Sequence, residues 1–400
     1  MRITNFPKEF IKAIPVLKEI QDAGYEAYFV GGCVRDTLLG IPLHDVDIAS
    51  SAYPAEIKQI FNRTVDTGIE HGTVMVLDHG EGYEVTTFRT ESTYQDFRRP
   101  DHVTFVRSLS EDLKRRDLTI NALAMGADGT VIDLFNGLED LKNHIIRAVG
   151  DPHERYHEDA LRMMRSIRFM SQLDFKLEKN TKQAIKDNAS LLSKIAVERI
   201  RVELIKMFLG KNPNAGVETF INTDLYKYCP DFPNYKDGLE KIAGINKIKL
   251  ENETECWVLL GYEFNLNIQQ LKQLMRHWKT SRDLINQVEI AYSALLSKEG
   301  LLDSQVLFNA GLDLAICANH IAKLVGKEAF SDQKIKDQYM KLPIKSVSEI
   351  KVTGTDLIQK LNMKPGPMIG QILTDIKKKI LKETLANDEN ELISYISKNY

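Results

Sequence analysis

Asp45 and Asp47 are the residues of this chain best placed, by type and spacing, to do chemistry. They stand in an Asp-Val-Asp run inside a strand-like segment, 45–48, and residues two apart in a strand point to the same face. Two carboxylates side by side repel, and a divalent cation relieves that repulsion. Magnesium is therefore the expected cofactor, with Asp45 and Asp47 as its ligands and as the catalytic pair. Just upstream, the apolar run Ala27-Tyr28-Phe29-Val30 ends in Gly31-Gly32, and a helical-looking segment follows through Leu39. Glycines between a strand and a helix let backbone N–H groups approach phosphate oxygens, and the helix N-terminus adds favourable partial charge. Gly32 is thus a candidate nucleotide-binding residue, and Arg35, one helical turn on, can reach a triphosphate. Either half alone reads equally well as a tight turn or an acidic strand edge. Together they point to nucleotidyl transfer, in which one metal ion activates a 3′-hydroxyl and another steadies the departing pyrophosphate.

Two further clusters fit that chemistry. In Lys114-Arg115-Arg116-Asp117-Leu118-Thr119-Ile120-Asn121, an arginine fork can pair bidentately with phosphate oxygens. Arg116 is the expected phosphate contact, with Asp117 and Asn121 as its supports, although the run taken alone reads as a solvated helix face. In Glu158-Asp159-Ala160-Leu161-Arg162-Met163-Met164-Arg165-Ser166-Ile167-Arg168, Asp159 and Arg162 are three apart and are expected on one helix face. Taken alone they would be an intrahelical ion pair. Cytosine and adenine, however, each present an amino donor beside a ring-nitrogen acceptor. A carboxylate accepts from the first while a guanidinium donates to the second. Uracil and guanine have the opposite polarity and would leave both protein groups unpaired. One Asp–Arg pair can therefore select C and A together. Arg165 and Arg168 extend the basic line by further turns and are candidate contacts to phosphates or base edges. Glu84 is weighed equally as a third acidic member and as a surface glutamate or a partner of Arg35 or Arg89, and is not counted among the ligands.

These residues need elements to hold them. Periodic apolar residues predict a helix over 10–20, then the strand before Gly31, the strand carrying the two aspartates, and a helix opening at Pro54. Residues 73–77 and 83–88 read as a hairpin joined by His79-Gly80-Glu81-Gly82, with Glu84, Thr86 and Phe88 on one face. The polar, proline-containing stretch 89–101 reads as a loop. Ser108-Leu-Ser-Glu111 matches a capping box, predicting a helix through Ala124. Strands at 131–134 and 145–148 close an α/β region. From Asp151-Pro152 onward long helical patterns dominate, interrupted by short loops at 211–216 and 229–234.

At 400 residues and 43% hydrophobic content the chain is long enough for two to four domains with substantial cores. The formal net charge of −3 argues neither for nor against nucleic acid. The four cysteines, Cys33, Cys229, Cys256 and Cys317, form no C-x-x-C pair and suggest reduced thiols rather than zinc or disulfides. No basic-then-apolar leader and no apolar run of membrane-spanning length is evident, so a soluble, cytoplasmic protein with no membrane partner is expected.

The motifs Gly31-Gly32-x-Val34-Arg35-Asp36-x-Leu38-Leu39-Gly40, Asp45-x-Asp47, Arg115-Arg116-Asp117-x-Thr119-x-Asn121-Ala122, Asp151-Pro152-x-x-Arg155, Glu158-Asp159-x-x-Arg162-x-x-Arg165 and Glu198-Arg199-Ile200-x-x-Glu203 follow one another in this order. As an ordered set they resemble bacterial class II tRNA nucleotidyltransferases, the CCA-adding enzymes, of the Gram-positive type. The second half fits more loosely, through Gly354-x-Asp356-Leu357 and Pro365-Gly366-Pro367-x-Ile369-Gly370. The resemblance implies an α/β nucleotidyltransferase head of polymerase-beta-like fold followed by an all-helical neck, body and tail in a seahorse-like architecture. It places the head at 1–150, the neck at 151–210, the body at 211–300 and the tail at 301–400. It implies magnesium at Asp45 and Asp47, nucleotide binding at Gly32, Arg35 and Arg116, and a protein template for the base at Asp159 and Arg162, supported by Arg165 and Arg168. The substrates implied are tRNA, CTP and ATP. The loop 89–101, with Asp96, Arg98, Arg99 and Asp101, resembles the segment linked to the switch from C to A addition, and its charged form favours the complete activity. Lys142, Lys247, Lys249, Lys272, Lys279 and Lys377-Lys378-Lys379 are candidate backbone contacts to tRNA. Alternatives are CC-only or A-only addition, a poly(A) polymerase, or an RNA-binding protein with a degenerate pocket. A homodimer is left open.

Overall fold

The computed structural model describes residues 1–400 except 44, 92–93, 96–98 and 101–102, and gives only the backbone of the others between 91 and 103. Asp96, Arg98 and Asp101 of the polar loop therefore lie outside the described residues, as does the side chain of Arg99. The chain folds as two compact units, Met1–Lys236 and Asp237–Tyr400. The α/β head and the helical remainder expected from the sequence are both present.

In the first unit the chain runs through helix α1 (Lys8–Asp22), strand β1 (Ala27–Val30), α2 (Gly32–Leu38), β2 (Asp47–Ser50), α3 (Pro54–Ile60), β3 (Thr64–Gly68), β4 (Thr73–Asp78) and β5 (Glu81–Thr87). Short strands β6 (Arg89–Glu91), β7 (Tyr94–Gln95), β8 (Arg99–Pro100) and β9 (Val103–Phe105) precede α4 (Leu109–Lys114), β10 (Leu123–Met125), β11 (Val131–Asp133), α5 (Gly137–Asn143) and β12 (Ile145–Ile146). The main sheet has the order β11-β10-β1-β2-β5-β4-β3, with β2 and β5 parallel and the other neighbours antiparallel. Phe10, Val16, Leu17 and Ile20 of α1 form one apolar stripe and pack against Phe29, Ile48, Val74 and Val85 of the sheet. The other face is closed by Val30, Ala49, Phe88, Leu113 and Ala124. The middle of the sheet is thus covered on both sides, which fixes the strand carrying Asp47.

Several sequence expectations shift for physical reasons. Strand β2 begins at Asp47, because its ladder with β5 opens at the pair Asp47↔Glu84; Asp45 lies before it. Alternation nevertheless holds, with Asp45 and Asp47 exposed on either side of buried Val46. The hairpin turn is tighter than expected, His79-Gly80 alone, both with positive φ, as two-residue turns require. The stretch 89–101 contains strand segments, since β6 pairs with β9 and β7 with β8. The helix expected through Ala124 stops at Lys114. The Ser108 side chain makes no cap there and its hydroxyl lies 2.8 Å from that of Ser110. Beyond Asp117, residues 118–125 are buried all round: 119–121 make one tight helical turn, and β10 then takes its hydrogen bonds from β1 and β11.

At Asp151-Pro152 the character changes. The Asp151 carboxylate accepts from His153 N at 2.8 Å and Pro152 occupies the first turn of α6 (Pro152–Glu158). Helix α7 (Leu161–Leu173), the two-residue strand β13 (Lys176–Leu177), α8 (Lys179–Asn188), α9 (Val197–Phe208) and α10 (Pro213–Asn222) complete the unit. Helix α10 opens inside the expected 211–216 loop because Asn212 caps it by accepting from Ala215 N.

The second unit carries α11 (Lys236–Gly244), α12 (Glu253–Glu263), α13 (Ile268–His277), α14 (Arg282–Leu296), α15 (Ser304–Leu324), α16 (Asp332–Met340), α17 (Gly354–Leu361), α18 (Pro367–Leu381) and α19 (Glu389–Asn399). Helix α15 is kinked at Gly311, whose φ of 70° only glycine adopts freely. Lys272 is committed to an ion pair with Glu289 at 2.6 Å rather than standing free. No described helix is long and apolar enough to cross a membrane. The four cysteines are unbridged and buried.

In this unit His320 ties three elements of charge together. Its Nδ1 lies 2.9 Å from buried Glu255 of α12 and its Nε2 lies 3.2 Å from Asp332 of α16. With acceptors at both nitrogens the imidazole is held as the cation. Burial works against that form, but the two carboxylate bonds outweigh it and raise the group above its ordinary 6.5. The stabilisation is fully present below about pH 6.5 and is lost as pH rises through the higher folded value. The thermal midpoint should therefore fall as pH rises above about 6.5, and the fall should be shallower in His320→Gln. Parallel pH profiles for the two proteins would refute the assignment.

Candidate active site

The first unit holds a cleft of about 680 Å³ walled by Gly31, Gly32, Arg35, Asp45, Asp47, Arg116, Asp117, Asp159, Arg162, Arg165, Arg168 and Phe169, among others. Every residue expected to hold the metal or the nucleotide lines it, while Glu84 and the lysines expected to meet tRNA do not. Strand β1 ends at Val30, and Gly31 follows with a φ of 73° that glycine adopts easily; a Cβ there would stand 2.8 Å from Arg116 Nη1. Gly32 then opens α2, which carries Arg35 inward.

Arg35 is buried, and its guanidinium is fixed on three sides. It donates to both oxygens of Asp36 at 2.8 and 2.9 Å and to Asn121 Oδ1 at 2.6 Å. Arg116 donates to Asp112 Oδ2 at 3.1 Å, while its Nε is enclosed with no partner among the described residues. Asp112, fully buried on α4, also takes both Nε and Nη2 of Arg115 on its other oxygen. The supports assigned from sequence are therefore redistributed. Asp112, not Asp117, holds Arg116; the Asn121 side chain serves Arg35, and only its carbonyl faces Arg116, at 3.5 Å. Asp117 accepts from Leu118 N at 2.9 Å, Asn121 Nδ2 at 3.1 Å and Arg165 Nε at 2.7 Å. Burial alone would raise the Asp117 carboxyl, but Arg165, Asn121 and Arg162 override it and hold it well below the usual range.

Asp47 behaves in the opposite way. Burial and then the neighbouring Asp45 push its carboxyl up, Arg116 pulls it down, and Glu84 pushes it up again. Glu84 stands beside Asp47 across the β2–β5 ladder and joins Asp45 and Asp47 in lining a second cleft of about 320 Å³. Hard oxygen donors crowded in this way suit a divalent cation, whose charge would favour the ionised form of Asp47.

The expected Asp159–Arg162 pair on one helix face is corrected. Asp159 is not helical: it sits at the end of α6 with φ −137° and ψ 105°, between α6 and α7. Its Oδ1 accepts from Leu161 N at 3.0 Å and its Oδ2 from Arg199 Nη2 at 2.8 Å. Arg162, in the first turn of α7, donates to Glu158 Oε2 at 2.6 Å and to the Arg115 carbonyl at 2.9 Å. The two side chains share the cleft wall, yet each is oriented by other partners. Further along α7, Arg168 pairs with Glu203 at 2.6 Å and donates to Gln172 at 2.9 Å; burial lowers its guanidinium to about 10.

Sequence reasoning passed over Asp112, Glu158 and Phe169 as working parts. Asp112 had a readable signal, lying three and four residues before Arg115 and Arg116. Arg199 and Glu203 were visible in the Glu198-Arg199-Ile200-x-x-Glu203 motif, though without a role. Phe169 carried none.

Comparison with known proteins gives a consistent set of likenesses. Residues 27–147 match the family described as Poly A polymerase head domain, residues 174–235 the RNA and SrmB- binding site of polymerase A, and residues 248–396 the tRNA nucleotidyltransferase domain 2. The CCA-adding enzyme of Ligilactobacillus salivarius is 57% identical over 100% of this chain and 98% of its own length. That of Limosilactobacillus reuteri is 54% identical over 99% and 98%. Among solved structures, the Bacillus stearothermophilus CCA-adding enzyme in complex with CTP superposes with a TM-score of 0.90 at 36% identity, covering 98% of each chain.

The buried Asp112 generates a prediction. Removing one member of a buried charge pair typically costs about 3–5 kcal/mol, and here two guanidiniums lose their partner. Asp112→Ala should lower the urea-unfolding free energy by about 3 kcal/mol or more. A wild-type value would show that Arg116 is held by something else.

Proposed function

The chain belongs to the CCA-adding enzymes, and from that membership we propose a role for each side chain of the arginine-walled cleft. The enzyme adds C, C and A to the 3′ end of tRNA from CTP and ATP, releasing pyrophosphate and using no nucleic-acid template. The division into a catalytic head, a base-selecting neck, a body and a tRNA-binding tail is part of the same reading. One observation carries it. A single cleft unites a crowded acidic pair, several guanidiniums, and a carboxylate and a guanidinium that are each oriented by partners of their own.

Arg35, Arg116, Arg165 and Arg168 take the triphosphate, with Gly32 allowing its close approach to the backbone. Asp45 and Asp47 would hold magnesium, which would supply activation of the RNA 3′-hydroxyl and charge to offset the departing pyrophosphate. Asp159 accepts the amino hydrogen of cytosine or adenine, and Arg162 donates to the adjacent ring nitrogen. Leu161 N and Arg199 on one side, and Glu158 and the Arg115 carbonyl on the other, fix both groups before the base arrives. Such preorganisation raises the penalty for U and G, since neither protein group can turn away to find another partner. Asp117 keeps Arg165 charged and aimed.

Two outcomes test the assignment. Asp45→Ala and Asp47→Ala should each cut incorporation by about 10³-fold or more, as removal of a charge-stabilising group does, while tRNA binding by filter retention stays near wild type. Wild-type turnover in either variant would overturn the metal assignment. Asp159→Ala and Arg162→Ala should admit UTP or GTP into products sequenced from tRNA lacking its 3′ end, before nucleotidyl transfer itself is lost. Continued full exclusion of both nucleotides by both variants would remove the protein template from the mechanism.

A further inference from the structure

Phe169 is the meeting point of three positive charges. Its ring lies 3.6 Å from the Arg168 guanidinium carbon, 4.8 Å from that of Arg35 and 5.7 Å from that of Arg165, each measured to the ring centroid. All three distances fall within the reach of a cation–π attraction. Arg165 and Arg168 come from α7 itself, one turn before and next to Phe169, whereas Arg35 arrives from α2 in the head. The ring is almost fully buried, belongs to the head's main apolar core and still borders the cleft.

Three guanidiniums around one side chain repel one another. Each is ion-paired to one carboxylate: Asp36 for Arg35, Asp117 for Arg165 and Glu203 for Arg168. Those bonds neutralise the arginines without bringing them together, since the three carboxylates sit on different elements. What the three arginines share is the ring. An aromatic face is negative at its centre and attracts a cation lying over it, while an aliphatic side chain of similar size offers low polarisability and no such face. Burial already depresses Arg168, so the ring's field also favours its charged form. A guanidinium stacked by its face keeps N–H groups on its edge available to phosphate oxygens.

We infer that Phe169 is a positioning residue that gathers Arg35, Arg165 and Arg168 into one triphosphate clamp and joins the head helix to the neck helix through their charges. The inference rests on the assignment of the cleft to CTP and ATP and says which uncharged group makes it work. It separates two tasks: Phe169 governs how tightly any nucleoside triphosphate is held, and Asp159 with Arg162 govern which base is accepted.

The test weakens the ring's field while its volume barely changes. Phenylalanine at 169 is replaced, in the full-length chain, by its mono-, di- and trifluorinated analogues, with Phe169→Leu as the endpoint. Direct binding of CTP and of ATP, and KM for each on tRNA lacking its 3′ end, are measured alongside the thermal midpoint. The dissociation constants should rise stepwise with fluorination, by about tenfold at the trifluoro analogue, the loss of about 1.4 kcal/mol expected for partly desolvated cation–π contacts. CTP and ATP should weaken alike, with UTP and GTP still excluded and the thermal midpoint unchanged across the fluorine series. Affinities flat across that series would overturn the inference even if Phe169→Leu is damaged or unfolded, because the ring would then serve packing alone. Relaxed base choice ahead of weakened binding would overturn it too, placing Phe169 with the base rather than the triphosphate. A wild-type chain that binds neither CTP nor ATP would instead overturn the underlying reading of the cleft.

Discussion

Asp117 is an ionised carboxylate enclosed between the sheet and the first long neck helix, and enclosure alone would drive it neutral. It stays charged because Arg165 crosses from α7 to meet it and Asn121 and the Leu118 amide complete its coordination. Removing any one partner would leave a charge in a low-dielectric setting, the costliest kind of defect a core can hold. The head and the neck helix are therefore held together by a requirement of charge, not only by apolar packing. From Asp117 the constraint spreads. Asn121 passes it to Arg35, Arg35 lies over Phe169, and Phe169 sits one turn beyond Arg165 on the same helix. The loop closes on itself, so Arg35 and Arg165 cannot drift independently of one another.

The break between α6 and α7 decides how Asp159 and Arg162 are oriented. Had the helix continued unbroken through Asp159, the carboxylate would have faced Arg162 one turn away, and the two would have neutralised each other. The extended backbone at Asp159 swings its side chain toward Leu161 N and Arg199, and leaves Arg162 to Glu158. A carboxylate and a guanidinium thus stand in one cleft wall, each oriented by supports of its own.

What was legible in the sequence follows from how local the signal was. The glycine turn, the Asp-x-Asp run and the basic helix could be read because their meaning rests on residues within one turn or one strand. The fate of residues 115–125 could not. Their apolar run suits a buried helix or a buried strand equally, and β1 and β11 decide the matter from a distance. Support pairings were the least legible. Arg35 meets Asn121 across 86 positions, Arg165 meets Asp117 across 48 and Arg199 meets Asp159 across 40. Residue type announces that an arginine needs a partner, but only the fold says which. Asp112 was the exception, since its two arginines lie one helical turn along.

The acidic pair also stands on a seam between two environments of opposite sign. On one side Arg35, Arg116, Arg165 and Arg168 line the larger cleft. On the other, Glu9, Glu81 and Glu84 line the smaller one, where Lys12 is already paired with Glu81 at 2.6 Å. A polyanion such as a triphosphate is drawn to the first and repelled by the second, so the field itself decides from which side it meets Asp45 and Asp47. Beyond burial, the repulsion that raises Asp47 has its source on that acidic side, in Asp45 and Glu84, while Arg116 on the other side opposes it, so the two aspartates stand where the field changes sign.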